Sequence, residues 1–512
     1  LALFEILLAM LLAAALLSMF ATRIGVPYPT LLALGGAGLA LLPGMPTIAV
    51  EPELILALFV APVLLDAAHD VSWRDLKSNW RPVLSLVLVA VGLTTIAVAL
   101  AARFFVPEMP WAAAITLGAL LAPPDAVAAL AVMRSVSPPH RLRVVLEGES
   151  LLNDASSLLI YKLAVATVAL GTFSPASIAP TMLLMSVGSV AVGWVLAKVV
   201  TRMTLFVHDP ATATIIQFVA TFGVWVMAEH LGLSGVITVV AFGVTAGRRS
   251  SEASNTEVRV KSFAAWETAT TVLNVLAFTM VGLQLRPIVA NLNAAQWRDY
   301  PLYALAILSI VIGVRLTWVL LYGAVRLVSG HQPDQLLGTW TGTLKSGLVV
   351  GWSGMRGIVT VAAALALPQG FPQREFIQLV AFVVVLGTLV IQGLTLKPLL
   401  KALRFPADTV VADEIRRARE AVALAALQSL GDREGDAVER LRVKYGEAIA
   451  AAKADHDMGI SADTALRLST LPASRQALDR LRQDGTIGDE AFRAVEEELD
   501  WLELGAARPS TP

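Results

Sequence analysis

The chain has 512 residues, 56% of them apolar and only 15% charged, with a formal net charge of −1 and no cysteine. An ordinary soluble domain carries roughly 45–50% apolar and about 25% charged residues, so this much apolar surface needs lipid as its solvent. A soluble enzyme, a nucleic-acid binder and a disordered scaffold are excluded, as are disulfides, thiolate chemistry and cysteine metal sites.

Charge is distributed unevenly. Residues 405–512 hold 21 acidic and 14 basic side chains, whereas 1–404, nearly four times as long, hold 19 and 25. The break at Arg404-Phe405-Pro406 predicts a membrane domain over 1–404 and a charged tail over 405–512, with helical stretches such as Ser474–Arg482 and Ala491–Leu504. The tail has no nucleotide-binding glycine-rich loop.

Thirteen apolar runs, bounded by proline, glycine and charge clusters, follow one another along the first 404 residues. They are 1–20, 27–43, 53–68, 82–102, 110–133, 144–170, 177–205, 212–229, 232–247, 263–285, 301–325, 339–367 and 376–402. As helices these are read as spans of the roughly 30 Å hydrocarbon layer. Run 1–20 contains Glu5 but no basic leader and no small-residue cleavage site, so it reads as a true span.

Basic residues orient the spans. Odd-numbered loops carry Arg23, Arg74, Lys77, Arg81, Arg134, Arg141, Arg143, Arg202, Arg248, Arg249, Arg259, Lys261 and Arg326. Even-numbered loops carry only Arg103, Arg286, Arg298 and Arg374. The bias puts odd loops and the charged tail in the cytoplasm and the N-terminus outside.

Polar residues inside spans are costly and mark function or a partner. Asp66 closes span 3, where an interfacial acid and a site acid are both open readings. Span 5 reads Leu121-Ala122-Pro123-Pro124-Asp125-Ala126-Val127. Two prolines remove two backbone donors, so the helix is predicted to break with Asp125 at the break; a plain kink leaves the acid unexplained. Span 6 reads Glu147-Gly148-Glu149-Ser150-Leu151-Leu152-Asn153-Asp154, a hydrophilic stripe in which Glu149 and Asn153, and Ser150 and Asp154, stand four residues apart. Entry from the loop accounts for Glu147 but not for Asp154, about three turns farther in. In span 11, Arg315 cannot deprotonate and needs an acid, for which Glu149 is the candidate. Lys162 is a second, lower-ranked cation for the buried acids.

Span 12 carries Lys345-Ser346-Gly347 and then Gly351-Trp352-Ser353-Gly354-Met355-Arg356-Gly357, where the glycines let the helix unwind around Arg356. Spans 5 and 12 lie seven apart, as they would in two six-span repeats, 1–6 and 8–13, of inverted topology. Interrupted helices at matching positions in two halves are the best sequence pointer to a transporter's binding site.

Pro124-Asp125, the segment from Glu147 to Asp154, Gly354-Met355-Arg356-Gly357 and the closing Gln392-Gly393-Leu394-Thr395 resemble the signature segments of the cation/proton antiporter-1 family. That family includes bacterial sodium/proton antiporters and eukaryotic sodium/hydrogen exchangers, and the resemblance covers nearly all of 1–404. It implies an all-α membrane protein of about thirteen spans with inverted repeats, a homodimer in the bacterial inner membrane, and elevator-like exchange of a monovalent cation for a proton without a cofactor. It implies that Asp154 is the carboxylate for cation and proton, that Asp125 joins it as cation ligand, and that Ser150 supplies an oxygen. Asp66 falls where the family often has a carboxylate, Asn153 stands where electrogenic relatives carry a second Asp, and both are expected among the ion-binding residues. Glu149 and Arg315 match a buried ion pair, and Arg356 would counter the exposed helix ends. The family's usual Thr-Asp-Pro on span 5 is here Pro124-Asp125-Ala126, so cation selectivity does not carry over.

Exchange needs one site that holds a proton or a cation, never both, and a single carboxylate near the midplane serves if its proton affinity matches the working pH. With Asn153 in place of a second acid, the expectation is electroneutral 1:1 exchange of Na+, with K+ or Li+ as alternatives, serving pH and cation homeostasis. A passive cation channel would want a ring of carbonyls or acids, and no repeated filter sequence is present. A serine hydrolase needs a histidine in the spans, but His69, His140, His208, His230, His331 and His456 mostly fall in loops or at span ends. An aspartyl hydrolase lacks its Gly-x-Gly-Asp context, so no enzyme is expected. A cation-coupled symporter of a small solute is the other alternative.

Overall fold

The computed structural model describes residues 2–42, 51–133, 136, 138–170, 175–247, 256–290, 292–328, 340–406, 408–453, 462–484, 486 and 489–507. Arg134, Arg248, Arg249, His331 and His456 lie outside the described residues. The described secondary structure is entirely helical, and the chain divides into two compact units, Leu1–Phe405 and Pro406–Pro512.

Helix occupies part of every one of the thirteen apolar ranges. Among the described residues eight helices are long and apolar enough to cross a bilayer, including Trp80–Phe105, Trp111–Met133 across its break, Ala294–Val328 and Arg374–Leu403. Shorter apolar helices cover Leu8–Ala21, Tyr28–Ala40, Leu56–His69 and Gly235–Gly247. Span 12 is two pieces, Trp340–Trp352 and Ile358–Leu365.

Several helices run past the apolar stretch that marks them. The span 6 helix starts at His140 rather than 144, and the span 10 helix starts at Thr256 rather than 263. Hydropathy marks only the lipid-solvated middle of a helix, whose polar ends continue unmarked. Two spans also contain a widened π turn. In span 3 it covers Leu56–Val60, just before Pro62, which has no N–H for the Leu58 carbonyl. In span 4 it covers Ser85–Ala90, and the Ser156 hydroxyl from span 6 donates to the Val87 carbonyl there at 3.1 Å.

Spans 2 and 10 pack backbone to backbone. A Cβ on Gly36 would strike the Thr279 carbonyl, and one on Gly282 would strike that of Ala33, so small residues set this crossing. The main buried cluster joins Leu117, Leu120 and Leu121 of span 5 to Ile307 and Val311 of span 11 and to Val380 of span 13. It encloses the first half of span 5 and fixes the direction in which that helix points at the break.

The second unit contains helices Val410–Leu430, Asp436–Lys453, Ala462–Gln483 and Asp489–Ala507. Arg475 joins its last two helices through Asp500 at 2.5 Å and Glu503 at 2.6 Å. Arg482 lies over the Phe492 ring at 4.5 Å.

Candidate functional site

The span 5 helix stops at Leu121 and resumes at Ala126. Neither Pro123 nor Pro124 can donate to the preceding turn, so the carbonyls at the end of the first half need other partners. Arg356 supplies them: its Nε donates to the Leu121 carbonyl at 2.9 Å and one Nη to that of Ala122 at 3.5 Å. Its other Nη donates to the Gly354 carbonyl, and its backbone N–H donates to the Thr388 hydroxyl at 3.0 Å. A fully buried guanidinium thus sits against the negative end of one half-helix.

The second half, Ala126–Met133, starts with free N–H groups, and side chains cap them. Asp125 Oδ1 accepts from the Val127 N–H at 2.8 Å, and the Ser150 hydroxyl accepts from the Ala126 N–H at 3.3 Å. The Asp125 N–H donates to the Met355 carbonyl at 2.6 Å, so the two interrupted helices meet at their breaks. Gly357 makes that approach possible, because a Cβ there would overlap the Asp125 carboxylate.

Span 6 runs alongside. A cavity of about 90 Å³ opens between spans 3, 5, 6, 10 and 12, and Asp125, Ser150 and Asp154 all line it. Asp154 is only 8% exposed. Its carboxylate makes no hydrogen bond or ion pair with a described residue. Asn153 does not line the cavity; its amide Nδ2 donates to the Pro124 carbonyl at 3.3 Å, which ties span 6 to the span 5 break, and its Oδ1 is buried without a partner among the described residues. Tyr161, two turns along, donates its hydroxyl to the Ala363 carbonyl at 3.0 Å and ties span 6 to the second half of span 12.

Glu149 points away from the cavity into a bidentate pair with Arg315, at 2.5 and 2.8 Å, the two side chains being 1% and 2% exposed. Arg315 also donates to the Val350 carbonyl at 3.0 and 3.3 Å, at the end of the first half of span 12. Lys162 pairs with Glu229 at 2.9 Å rather than with a cavity acid, and Glu229 also accepts from the Gly235 N–H that opens the next helix.

Asp66 is half-buried and lies outside the cavity lining, although Val63, Leu64 and Ala67 of the same helix belong to it. Three lining residues escaped the sequence reading. Glu147 reaches the cavity rather than the interface, and Asn274 and Thr360 contribute polar groups from spans 10 and 12. Asn274 carried a signal, being an amide at the middle of the apolar stretch 263–285, whose other amide, Gln284, stands at its end. Thr360 carried none.

Glu149 is paired with Arg315, and the Arg356 guanidinium is spent on the carbonyls of Leu121, Ala122 and Gly354. Asp125, Glu147 and Asp154 bring three carboxyl groups to the cavity, and its described lining includes no basic residue. Such a set of oxygens can take up a proton or a monovalent cation.

The family model described as sodium/hydrogen exchanger, transmembrane, matches residues 7–402. The uncharacterized Na+/H+ exchanger Rv2287 of Mycobacterium tuberculosis is 30% identical over 509 residues, covering 94% of this chain and 92% of its own. The low-affinity Na+/H+ antiporter NhaS1 of Synechocystis is 30% identical over 387 residues, covering 75% of this chain and 71% of its own. The solved structure of the sodium proton antiporter MjNhaP1 from Methanocaldococcus jannaschii has the same fold, with a TM-score of 0.62 at 17% identity, over 78% of this chain and 98% of that one. With a family model matching most of its length and a relative 30% identical across nearly all of it, this chain belongs to the sodium/hydrogen exchanger family.

Proposed function

We propose that this protein exchanges a monovalent cation for a proton across the bacterial inner membrane, one for one, by alternating access. The observation that carries the reading is the cavity lined by Asp125, Ser150 and Asp154 at the crossing of two interrupted helices. The relatives named for Na+/H+ antiport support it.

Asp154 is the exchange carboxylate. In one form it holds a dehydrated cation together with Asp125 and oxygens such as the Ser150 hydroxyl, a set of hard donors. In the other form it holds a proton and is neutral. Both forms carry the same charge, whereas the empty, ionised centre carries one more negative charge, which is costly to move through a low-dielectric layer. That penalty couples the two ions: the centre changes sides loaded with one or the other. With Asn153 neutral, no second proton enters the cycle, so exchange is electroneutral. At low pH protons outcompete the cation at Asp154 and turnover falls. No covalent step or cofactor enters this scheme.

Na+ is the first candidate for the cation, with K+ and Li+ as alternatives. Asp66 is assigned no ligand role, because it lies off the cavity. Thirteen crossings in two inverted repeats, the N-terminus outside and the charged tail of 405–512 in the cytoplasm complete the reading. A homodimer rests on the family resemblance alone.

The test uses inside-out vesicles and a pH dye, with NaCl, KCl or LiCl added to wild type and Asp154→Ala. Cation-driven proton movement that vanishes in the variant supports exchange, and the responding salt names the ion. No response to any of the three salts from well-folded wild type would overturn exchange in favour of solute symport. Persistent ion flux that needs no proton gradient would favour a channel. A reversal potential that tracks membrane voltage would overturn the 1:1 stoichiometry.

A further inference from the structure

A second cavity, of about 120 Å³, lies apart from the aspartate cavity and shares no lining residue with it. It sits between the starts of spans 4 and 6, the end of span 11 and the first half of span 12. Its polar lining includes Arg141, Arg326, Thr343 and Ser346, flanked by Trp318 and Tyr322. Arg141 is one residue into its helix and Arg326 is two residues from the end of its own, so both stand at the same end of the bundle. Toward the middle of the bundle the lining turns apolar, with Leu86, Val145 and Val350.

We propose that this cavity binds the headgroup phosphate of an anionic phospholipid from the leaflet that the basic bias assigns to the cytoplasm. Two guanidinium groups converge on one small space whose described lining residues include no acid. Each guanidinium has five donors in a planar fork, so Arg141 can keep its 3.1 Å bond to Asn79 and still engage a phosphate oxygen. The Ser346 hydroxyl is more than nine-tenths buried, lines the cavity and has no hydrogen-bond partner among the described residues. A phosphate oxygen is an acceptor for it.

The surroundings select lipid over a soluble anion. The basic groups stand at the mouth of a membrane-embedded, apolar-floored space beside a Trp and a Tyr, the residues enriched at headgroup level. The volume suits a headgroup and its attachment, leaving the acyl chains along the outer helix surfaces. A lipid here would touch the helix that carries Asp154 and the half-helix Trp340–Trp352, whose Val350 carbonyl holds Arg315. Its occupancy would stiffen the frame around the breaks.

Native mass spectrometry of the full chain in detergent tests this with phosphatidylglycerol, phosphatidylcholine and inorganic phosphate as probes. Wild type is expected to retain phosphatidylglycerol in preference to phosphatidylcholine. Arg141→Gln/Arg326→Gln should lower phosphatidylglycerol affinity roughly thirtyfold, as two lost basic contacts imply, while Arg141→Lys/Arg326→Lys keeps most of it. The lysine pair separates a lost charge from a lost fold. Equal retention of both lipids, or an undiminished affinity in the glutamine pair, would overturn the assignment. Displacement of the lipid by millimolar inorganic phosphate would assign the cavity to a soluble anion instead.

Discussion

Replacing Glu149 by leucine leaves the Arg315 guanidinium buried without its carboxylate, because the side chain is 2% exposed and has nowhere to reach water. Breaking a buried pair from one side costs about 3–5 kcal/mol, most of it the stranded charge. Arg315→Met costs a similar amount by stranding Glu149, and it also removes the donors to the Val350 carbonyl. The double variant Glu149→Leu/Arg315→Met strands no charge. What remains is the Val350 carbonyl without its partner, about 1–3 kcal/mol for a buried acceptor. The double variant is therefore expected to be more stable than either single one, where additivity would make it lose about 6–10 kcal/mol. The charge reversal Glu149→Arg/Arg315→Glu restores only part of the yield, because it turns a carboxylate toward the Val350 carbonyl. The assay is thermal unfolding of detergent-solubilised protein, followed by the surviving monodisperse fraction after heating. A double variant that loses the sum of its two parents would refute the reasoning and show that the pair adds no coupling.

Asp125→Asn should keep the cap on the Val127 N–H and unfold like wild type, yet lose vesicle exchange; Asp125→Ala should lose exchange and also about 0.5–2 kcal/mol of stability with its cap. Equal stability of the two variants would argue against the cap. Gly357→Ala should abolish exchange by pushing a methyl group into the Asp125 carboxylate, whereas Gly313→Ala, with open space around it, should transport normally. Lys162→Gln should leave exchange in place and change stability by no more than about 1 kcal/mol, because its pair with Glu229 is 42% exposed on both sides; loss of transport would revive Lys162 as a partner of the cavity acids. At the basic end of span 6, Asp75 is held below the ordinary carboxylate value of 3.8: burial opposes its ionisation, but hydrogen bonds with Ser72 and His140 and the charges of Arg74 and His140 outweigh it. A lowered native pKa stabilises the fold above 3.8 and ceases to as pH falls through the native value. The stability gap between wild type and Asp75→Asn should thus be constant at neutral pH and close below about pH 4. A gap that closes between pH 6 and 8 would implicate His140 instead.

Much of this centre could be read from residue order, because lipid imposes unusually strict chemistry. A proline pair in an apolar stretch must break a helix, and an arginine that cannot lose its proton must find an acid. Those two rules lead from Pro123-Pro124 to the interruption at 122–125, and from Arg315 to Glu149. Composition likewise separates 1–404 from the tail, since one is solvated by lipid and the other by water. Spacing along a single helix could not decide which face of that helix meets which neighbour. Asp66 and Ala67 are adjacent in sequence, yet only Ala67 lines the cavity. Asn153 and Asp154 are adjacent too, and one is spent on the Pro124 carbonyl while the other has no hydrogen bond or ion pair among the described residues. The partner of the span 5 carbonyls is Arg356, some 235 residues away, and the contact exists only because the breaks of spans 5 and 12 cross at Asp125 and Met355. Where helices must stop and which charges need partners is legible in residue order, since both follow from local backbone chemistry and the cost of charge in lipid. Which of those charges are cancelled and which face the cavity depends on how helices distant in sequence rotate and pack against one another, and that is a property of the folded chain.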